Sequence, residues 1–357
     1  MSRRVLGAVV LFLAVVAQTA PGARAQGAEP PDPRRTALEA EVAGKGWIVY
    51  GARGETGTWD LYLVRPDGTH RRNITNTPDY EEAAPRFSPD GTRLLYRRLA
   101  KGTMINHDQW GFQGELMLAD ADGANAAPFG GEGEYPWASW SPDGTQLACL
   151  TKKGIEIVSI ADKAVVRKLP RQGIYQQLFW SPDGKWFCGT GNHGGESWTV
   201  VRMNAETGEV NPVRSFQNCT PDWFPDSARI LLSSRPANQP NGYGWTQLWA
   251  VSGDGADQRL VYGQDGFHLY GGAVSPDGKY ILFTNGKRDG NGSEENGAAL
   301  CLMRAADAPA IGGPSPDLRA LHPDTKDAMV LRLGPAAWEP HWTYAEVVRD
   351  GATNTGE

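Results

Sequence analysis

The sequence has few cysteines, no long apolar run and no excess of basic residues. Its 357 residues contain four Cys and carry a formal net charge of −6, and its Lys and Arg form no cluster beyond short pairs. Such a chain offers no basic field to a phosphate backbone, so we expect no nucleic-acid partner. The longest apolar run, Val5 to Ala17, spans about 13 residues, short of the roughly 20 that cross a bilayer as a helix. We expect no stable membrane insertion.

Several enzyme signatures are missing as well. The sequence has no Gly-x-Ser-x-Gly nucleophile elbow, no glycine-rich phosphate loop and no Cys-x-x-Cys pair. The cysteines at 149, 188, 219 and 301 could pair in an oxidising compartment. Cys149, Cys188 and Cys301 lie in apolar strand-like runs, however, so buried free thiols are the interpretation that we favour over disulfides.

The N-terminus has the three parts of a secretory signal. Arg3 and Arg4 precede the apolar run, and Ala23-Arg24-Ala25 follows as a small-x-small cleavage site. We predict a signal peptide over residues 1–25 and a periplasmic or secreted protein. The paired arginines also suit the twin-arginine route, which stays open beside the general one. Residues 26–45 are predicted to be a polar linker, 46–345 the folded domain and 346–357 a C-terminal tail.

A tetrapeptide repeats along the chain. Ser-Pro-Asp-Gly begins at residues 88, 141, 181 and 275, with a degenerate copy at Phe224-Pro225-Asp226-Ser227 and an echo at Pro340-His341-Trp342-Thr343. In such a turn Pro presets φ at the first corner and Gly takes the positive φ that closes it. Two antiparallel strands should therefore meet at each copy.

Each copy is followed by further strand-like runs, which gives four strands in about 40 to 50 residues. Four-stranded antiparallel units repeated six times are typical of propeller blades, because one unit alone cannot bury both faces. The sequence therefore predicts an all-β, six-bladed propeller. Trp47 to Tyr50 corresponds to the second strand of a blade, and Trp338 to Tyr344 to an innermost strand with nothing after it. We predict that the C-terminal strand closes the ring by joining the N-terminal blade.

The repeats resemble the WD40-like (PD40) repeats of the TolB propeller family. Residues 59–68 (WDLYLVRPDG), 73–76 (NITN) and 85–91 (PRFSPDG) match that repeat pattern, and the resemblance covers about 300 residues. It implies a propeller and an envelope protein as partner, since TolB is the periplasmic partner of the Tol-Pal system. TolB has an α/β domain before its propeller, whereas here about 20 residues separate the predicted cleavage site from the first blade.

Two sets of loops should open on one face of the ring, namely those that enter the innermost strands and those that join second to third strands. Aromatic, acidic and amide side chains on these loops are candidates for ligand binding. The candidate residues are Glu82, Tyr135, Tyr175, Gln177, His268, Tyr270, Glu339 and His341 on the entering loops, with Trp110 and Trp245 on the crossing loops.

Two functions compete for this face. The first is a monomeric binding module for a glycan, a peptide or an envelope protein, without a cofactor. The second is a carbohydrate-active enzyme, a lyase or hydrolase like the oligogalacturonate lyase propellers, in which His268 and His341 with Glu82 or Glu339 hold a divalent metal or act as acid and base. No catalytic residue can be assigned, because no spacing matches a metal motif. His341, next to Trp342 on a strand, also suits a purely structural histidine.

Overall fold

Short antiparallel strands make up most of the structure, a computed structural model. It describes residues 32–105, 113–170, 173–193, 196–214, 218–234, 246–264, 267–287, 298–309, 312–313, 328–335 and 338–347. Within these residues the strands form six sheets, five of four strands and one of five. Each sheet is one blade of a propeller, so the predicted all-β, six-bladed fold is confirmed.

The elements follow the chain blade by blade. Helix α1 (Pro33–Val42) comes first. Blade one has β1 (Trp47–Arg53), β2 (Trp59–Val64) and β3 (Arg72–Asn73); blade two has β4 (Tyr80–Phe87), β5 (Arg93–Ala100), β6 (Glu115–Asp120) and β7 (Ala127–Pro128); blade three has β8 (Trp137–Trp140), β9 (Gln146–Leu150), β10 (Gly154–Ser159) and β11 (Val165–Pro170).

The second half of the chain repeats this order. Blade four has β12 (Ile174–Trp180), β13 (Trp186–His193), β14 (Glu196–Asn204) and β15 (Val210–Arg214); blade five has β16 (Asn218–Trp223), β17 (Arg229–Ser234), β18 (Gln247–Ser252) and β19 (Gln258–Tyr262). Blade six has β20 (Phe267–Val274), β21 (Tyr280–Lys287), β22 (Ala299–Arg304) and, after a 3-10 turn (Ala305–Asp307), β24 (Val330–Pro335). The two-residue strand β23 (Gly312–Gly313) extends blade five, and β25 (Trp338–Thr343) ends the series.

The C-terminal strand closes the ring as predicted. Strand β25 pairs with β1 in antiparallel register, with Trp47 opposite Thr343 and Val49 opposite His341. Blade one is therefore β25-β1-β2-β3, with its innermost strand taken from the other end of the chain. This pairing leaves no open edge between the first and last parts of the sequence.

The tight turns after the innermost strands have the predicted geometry. Gly91, Gly144, Gly184 and Gly278 have φ of +72°, +70°, +75° and +73°, the left-handed region that glycine adopts without strain. Ser227 takes the same place in the degenerate copy, with φ of +56°. The turns define two faces of the ring. We name the end where the innermost strands begin the start face, and the end where they reach these turns the turn face.

The hydrophobic core lies between neighbouring blades. Leu94 and Tyr96 of β5 pack with Leu61 and Leu63 of blade one, whereas Leu95, on the opposite side of β5, packs with Leu147 and other residues of blade three. Successive residues of a strand point to opposite faces, and a blade has a neighbour on both sides. The blade strands are therefore apolar at consecutive positions instead of alternating with polar residues.

Helix α1 lies inside the segment predicted to be a linker, so that part of the prediction was wrong. Leu38 and Val42 are fully buried in the cluster that joins blades six and one. Glu41 accepts hydrogen bonds from the Tyr280 hydroxyl at 2.6 Å and from Nε of Arg304 at 2.8 Å. The sequence pattern was misleading because only two residues of this helix are buried, which leaves no apolar face of the usual width.

The four cysteines are free thiols, and Cys149, Cys188 and Cys301 are buried, as expected. Burial raises the pKa of the Cys301 thiol to about 12 and those of Cys149 and Cys188 well above their ordinary value. These thiols are therefore protonated at neutral pH. In the part of the chain that the structure describes, no helix has the length and apolar composition to cross a membrane.

Candidate functional site

A cavity of about 430 Å³ lies on the propeller axis at the turn face. All six blades contribute to it, which places it on the axis and not between two blades. Five prolines of the turns surround its mouth: Pro89, Pro142, Pro182, Pro225 and Pro276. The residue directly before each turn lines its wall: Phe87, Trp140, Trp180, Trp223, Val274 and Trp342. A concave, mainly apolar site of this size is typical of ligand pockets.

Polar groups deeper in the cavity come from the second position before the turns. In alternate blades this residue accepts a hydrogen bond from a backbone N–H of the next blade. The donor and acceptor pairs are Phe87 N to His341 Nδ1 at 3.1 Å, Trp180 N to Ser139 Oγ at 2.9 Å and Val274 N to Asp222 Oδ2 at 3.0 Å. These side chains therefore join neighbouring innermost strands as well as lining the cavity.

Arg86 occupies the same position in blade two and is a positive charge in the cavity wall. It donates through Nη1 to the Pro340 carbonyl at 2.9 Å, and its guanidinium lies over the Phe179 ring, 4.7 Å from the centroid. Burial, with a further contribution from Arg86, holds the pKa of His341 well below its ordinary 6.5. Burial raises the pKa of Asp222, and Arg86 opposes that rise. His341 is therefore neutral, consistent with its role as an acceptor.

The rim of the cavity carries Asp90 from the turn of blade two, and Asp143 has the same place in the turn of blade three. Hydrogen bonds from Ser88 and Ser141 lower the pKa of Asp90 and Asp143, which belong to the turns of those blades. Both carboxylates also accept the backbone N–H two residues further on, which fixes the turn. Both are ionised at neutral pH and exposed to solvent.

A buried side-chain contact crosses the axis of the ring. Gln177 of blade four donates to Glu339 of blade one across the axis at 3.4 Å, and the two side chains are 1% and 3% exposed. Gln177 also accepts from the Thr190 hydroxyl at 2.7 Å and from Thr220 N at 3.0 Å. The contact joins blades on opposite sides of the ring.

A repeated backbone irregularity positions these groups. The fourth residue before the turn has positive φ in five of the six innermost strands: Ala84, Gln177, Thr220, Gly271 and Glu339, at +52°, +57°, +49°, +59° and +46°. The pairing register shifts at the same places. At each of these places two residues of the innermost strand lie opposite one residue of the neighbouring strand, which is a β-bulge. A bulge turns the strand and redirects its side chains. Here it directs the Gln177 and Glu339 side chains to the axis.

The predicted site residues do not share one mouth. His341 lies two residues before its turn and lines the turn-face cavity, so its predicted place at the start face was wrong. His268 lies seven residues before its turn, near the start of β20. Five residues of strand separate these positions along the axis, about 16 Å at ~3.3 Å per residue.

Three aromatic candidates lie toward the start face and pack against neighbouring rings. Tyr135 is 6% exposed with its ring 6.4 Å from Phe129, and Tyr270 is fully buried with its ring 4.7 Å from His268. Tyr175, half-buried, meets Trp198 edge-on at 6.4 Å. Nδ1 of His268 lies 3.2 Å from the Thr246 hydroxyl. Trp110 and Trp245 lie outside the described residues.

Glu82 is buried between blades one and two, away from the axis. Its oxygens accept hydrogen bonds from the hydroxyls of Thr77 and Thr75. The His and Glu residues of the enzyme hypothesis are therefore distributed over four places: the turn-face cavity (His341), the axial contact (Glu339), this junction (Glu82) and the start of β20 (His268). Over the described ranges, no three His, Cys, Asp or Glu side chains come close enough to hold a metal ion.

Arg86, Ser139 and Asp222 were not among the predicted candidates. All three occupy the position two residues before a turn, as His341 does. Aligning the repeats on the turn would have shown that this position carries a polar residue in four blades, and that signal was present in the sequence. The contact of Gln177 with Glu339 has no such signal, because 162 residues separate them.

The fold is similar to that of TolB-like propellers. The structure of TolB from Acinetobacter baumannii superposes with a TM-score of 0.59 at 18% identity over 83% of this chain and 66% of that one. A TolB-like protein of Agrobacterium tumefaciens superposes with a TM-score of 0.52 at 19% identity over 72% of this chain and 84% of that one. At such identities the likeness shows a shared fold.

Sequence comparison finds a shorter match. The TolB homolog of Chlorobium luteolum is 42% identical over 55 residues, which is 14% of this chain and 12% of that protein. No protein-family model matches the chain. The TolB likeness is therefore one of propeller fold and repeat.

Proposed function

We propose that this chain is an exported binding module that takes a peptide segment of a protein partner at the turn face. The axial cavity of about 430 Å³, lined by all six blades, is the observation that carries this proposal. Its volume suits a few side chains, and its proline and aromatic rim suits apolar ones. The TolB-like fold and the signal-like N-terminus support an exported, monomeric module with an envelope protein as partner.

A peptide suits the cavity better than a glycan does. Trp140, Trp223 and Trp342 are only 7%, 6% and 2% exposed, so three of the four cavity tryptophans offer little ring surface on which a sugar could stack, and Trp180 alone is partly exposed. The side chains of His341 and Ser139 already accept backbone N–H groups, so part of the hydrogen-bonding capacity of the cavity serves the fold. An apolar side chain needs no such partners.

Charge at the rim indicates the flanking residues of the peptide. Asp90 lines the mouth as a carboxylate, Asp143 has the same place in the next turn, and opposite charge across an interface speeds association and selects partners. We therefore expect an apolar or aromatic residue in the cavity and a Lys or Arg beside it. The carbohydrate-active alternative has no comparable observation behind it, because its His and Glu residues do not meet.

A displayed library of random peptides, selected on the purified protein, tests the proposal, with a glycan array as the parallel arm. Pro142→Trp places a large ring at the cavity mouth, and we expect it to weaken the selected peptides at least tenfold, about 1.4 kcal/mol. Val166→Trp is the matched control, since Val166 is 54% exposed on the outer strand of the same blade.

The two variants should melt within a few degrees of the parent, which keeps a folding defect apart from a binding defect. Selected peptides that bind Pro142→Trp as well as the parent would exclude the turn-face cavity. Binding confined to the glycan array would exclude the peptide ligand.

A further inference from the structure

A buried guanidinium lies between blades two and three, beside the axial cavity. Arg97 of β5 is 1% exposed, and its Nη1 donates to the Tyr135 carbonyl at 2.6 Å. Its Nε and Nη2 meet no protein acceptor in the described part of the chain. Leaving buried N–H groups of a charged side chain without acceptors is strongly unfavourable, so a further acceptor is needed at these two atoms.

A small internal cavity adjoins this guanidinium. Its volume of about 10 Å³ is room for a single water-sized species. Arg86 and Arg97 line it together with alanine, leucine and aromatic residues, and among the described residues no Asp or Glu does. The two charged residues at this cavity thus have the same sign.

The charge of Arg97 persists at neutral pH. Burial lowers the pKa of its guanidinium to about 10, which still leaves it protonated. Glu115 is the acidic residue that favours this charge, but its carboxylate accepts from Nε and Nη2 of Arg98 at 3.2 and 2.6 Å. The ion pair of Arg98 with Glu115 lies at the edge of the blade, so the buried charge of Arg97 is only partly balanced.

We propose that this cavity binds one chloride ion, held by Nε and Nη2 of Arg97. A water molecule could also accept from both atoms, but its two hydrogens would then need acceptors. The side chains around the cavity are mainly hydrocarbon and aromatic, which meet that need poorly. A monatomic anion only accepts, and it offsets the buried positive charge. The bound ion would tie β5 to the start of blade three, and this inference is independent of the proposed peptide site.

The first test measures melting temperature while sodium chloride replaces sodium gluconate at constant ionic strength. Chloride should stabilise the folded protein by mass action, raising Tm by about 4 °C at a hundredfold excess over its Kd. Arg97→Met should remove this response. Arg98→Met, which changes the next residue of the strand and breaks a half-buried ion pair, should keep it.

The second test uses the unchanged protein and so does not depend on a variant that folds. Crystals soaked in sodium bromide should show an anomalous peak within hydrogen-bonding distance of Nε and Nη2 of Arg97. A Tm that does not respond to chloride, together with no bromine peak there, would assign the cavity to water and overturn the proposal. A chloride response that persists in Arg97→Met would overturn it as well.

Discussion

Glu82 is a buried carboxyl group whose protonation should make the stability of the propeller depend on pH. It lies on β4 and is 1% exposed, beside the fully buried Asp60. Burial raises the pKa of Glu82 from 4.5 to about 7; the hydroxyls of Thr77 and Thr75 oppose the rise, and Asp60 adds to it. Near pH 6 the folded protein therefore keeps a proton that the unfolded chain has released.

The sign and size of the effect follow from this pKa. Because the folded value is the higher one, the stability contributed by protonated Glu82 is fully present below pH 4.5 and is lost as pH rises through about 7. The two values differ by about 2.5, and one pKa unit is worth about 1.36 kcal/mol. The free energy of unfolding should fall by about 3 kcal/mol across this window, which is a Tm change of about 5 °C for a fold of this length.

Glu82→Gln tests the argument, because glutamine has the shape of the protonated acid and does not titrate. We expect the variant to match the parent near pH 4.5 and to exceed it by about 3 kcal/mol at pH 8. Urea unfolding followed by tryptophan fluorescence at several pH values measures this difference. Glu55→Gln is the control, since Glu55 is exposed on the first hairpin and should leave the pH profile unchanged.

The reasoning would be refuted by a Glu82→Gln protein whose stability falls between pH 4.5 and 8 as steeply as that of the parent. It would also be refuted by a variant that is less stable than the parent at pH 8. Either result would mean that the folded protein accommodates the ionised carboxylate.

Three further predictions concern closure, the turns and the cavity. Deleting residues 336–357 removes the strand that pairs with β1 and should abolish cooperative unfolding at the parent's temperature, which calorimetry can check. Gly91→Ala and Gly144→Ala should both lower the free energy of unfolding by roughly 1 to 2 kcal/mol, because both positions have positive φ. Urea titrations should show a clearly larger loss for Gly91→Ala, because its Cβ would collide with the end of the closing strand. His341→Ala leaves Phe87 N–H without its acceptor and should lower stability by about 1 to 3 kcal/mol; an unchanged Tm would show that this bond is dispensable.

Much of this fold could be predicted from local chemistry. A Ser-Pro-Asp-Gly turn constrains the backbone within four residues, so its copies located the innermost strands before any tertiary contact was known. The first blade lacks an innermost strand in the sequence, and the C-terminal segment supplies one with no strand after it. The pattern therefore predicted that the C-terminal strand joins the first blade and closes the ring. The helix at 33–42 escaped prediction because its stability depends on Leu38 and Val42 reaching a distant cluster and not on its own pattern.

The candidate site was predictable only in part. The sequence placed His341 among functional residues but at the wrong end, since counting from the loops ignored its position two residues before the turn. The Gln177 contact with Glu339 joins blades on opposite sides of the ring, and neither repeat by itself indicates it. The bulges that direct these side chains to the axis have no common residue type, because Ala84, Thr220 and Gly271 adopt them too.

By itself, then, the sequence determined the repeat, the number of blades and the way the ring closes, because turn chemistry and strand periodicity act over a few residues. The tertiary structure alone decided where the cavity lies, which side chains face it and that Arg97 is buried between blades two and three. Those features arise from contacts between residues far apart in the chain, and such contacts follow from packing around the axis and not from any local pattern.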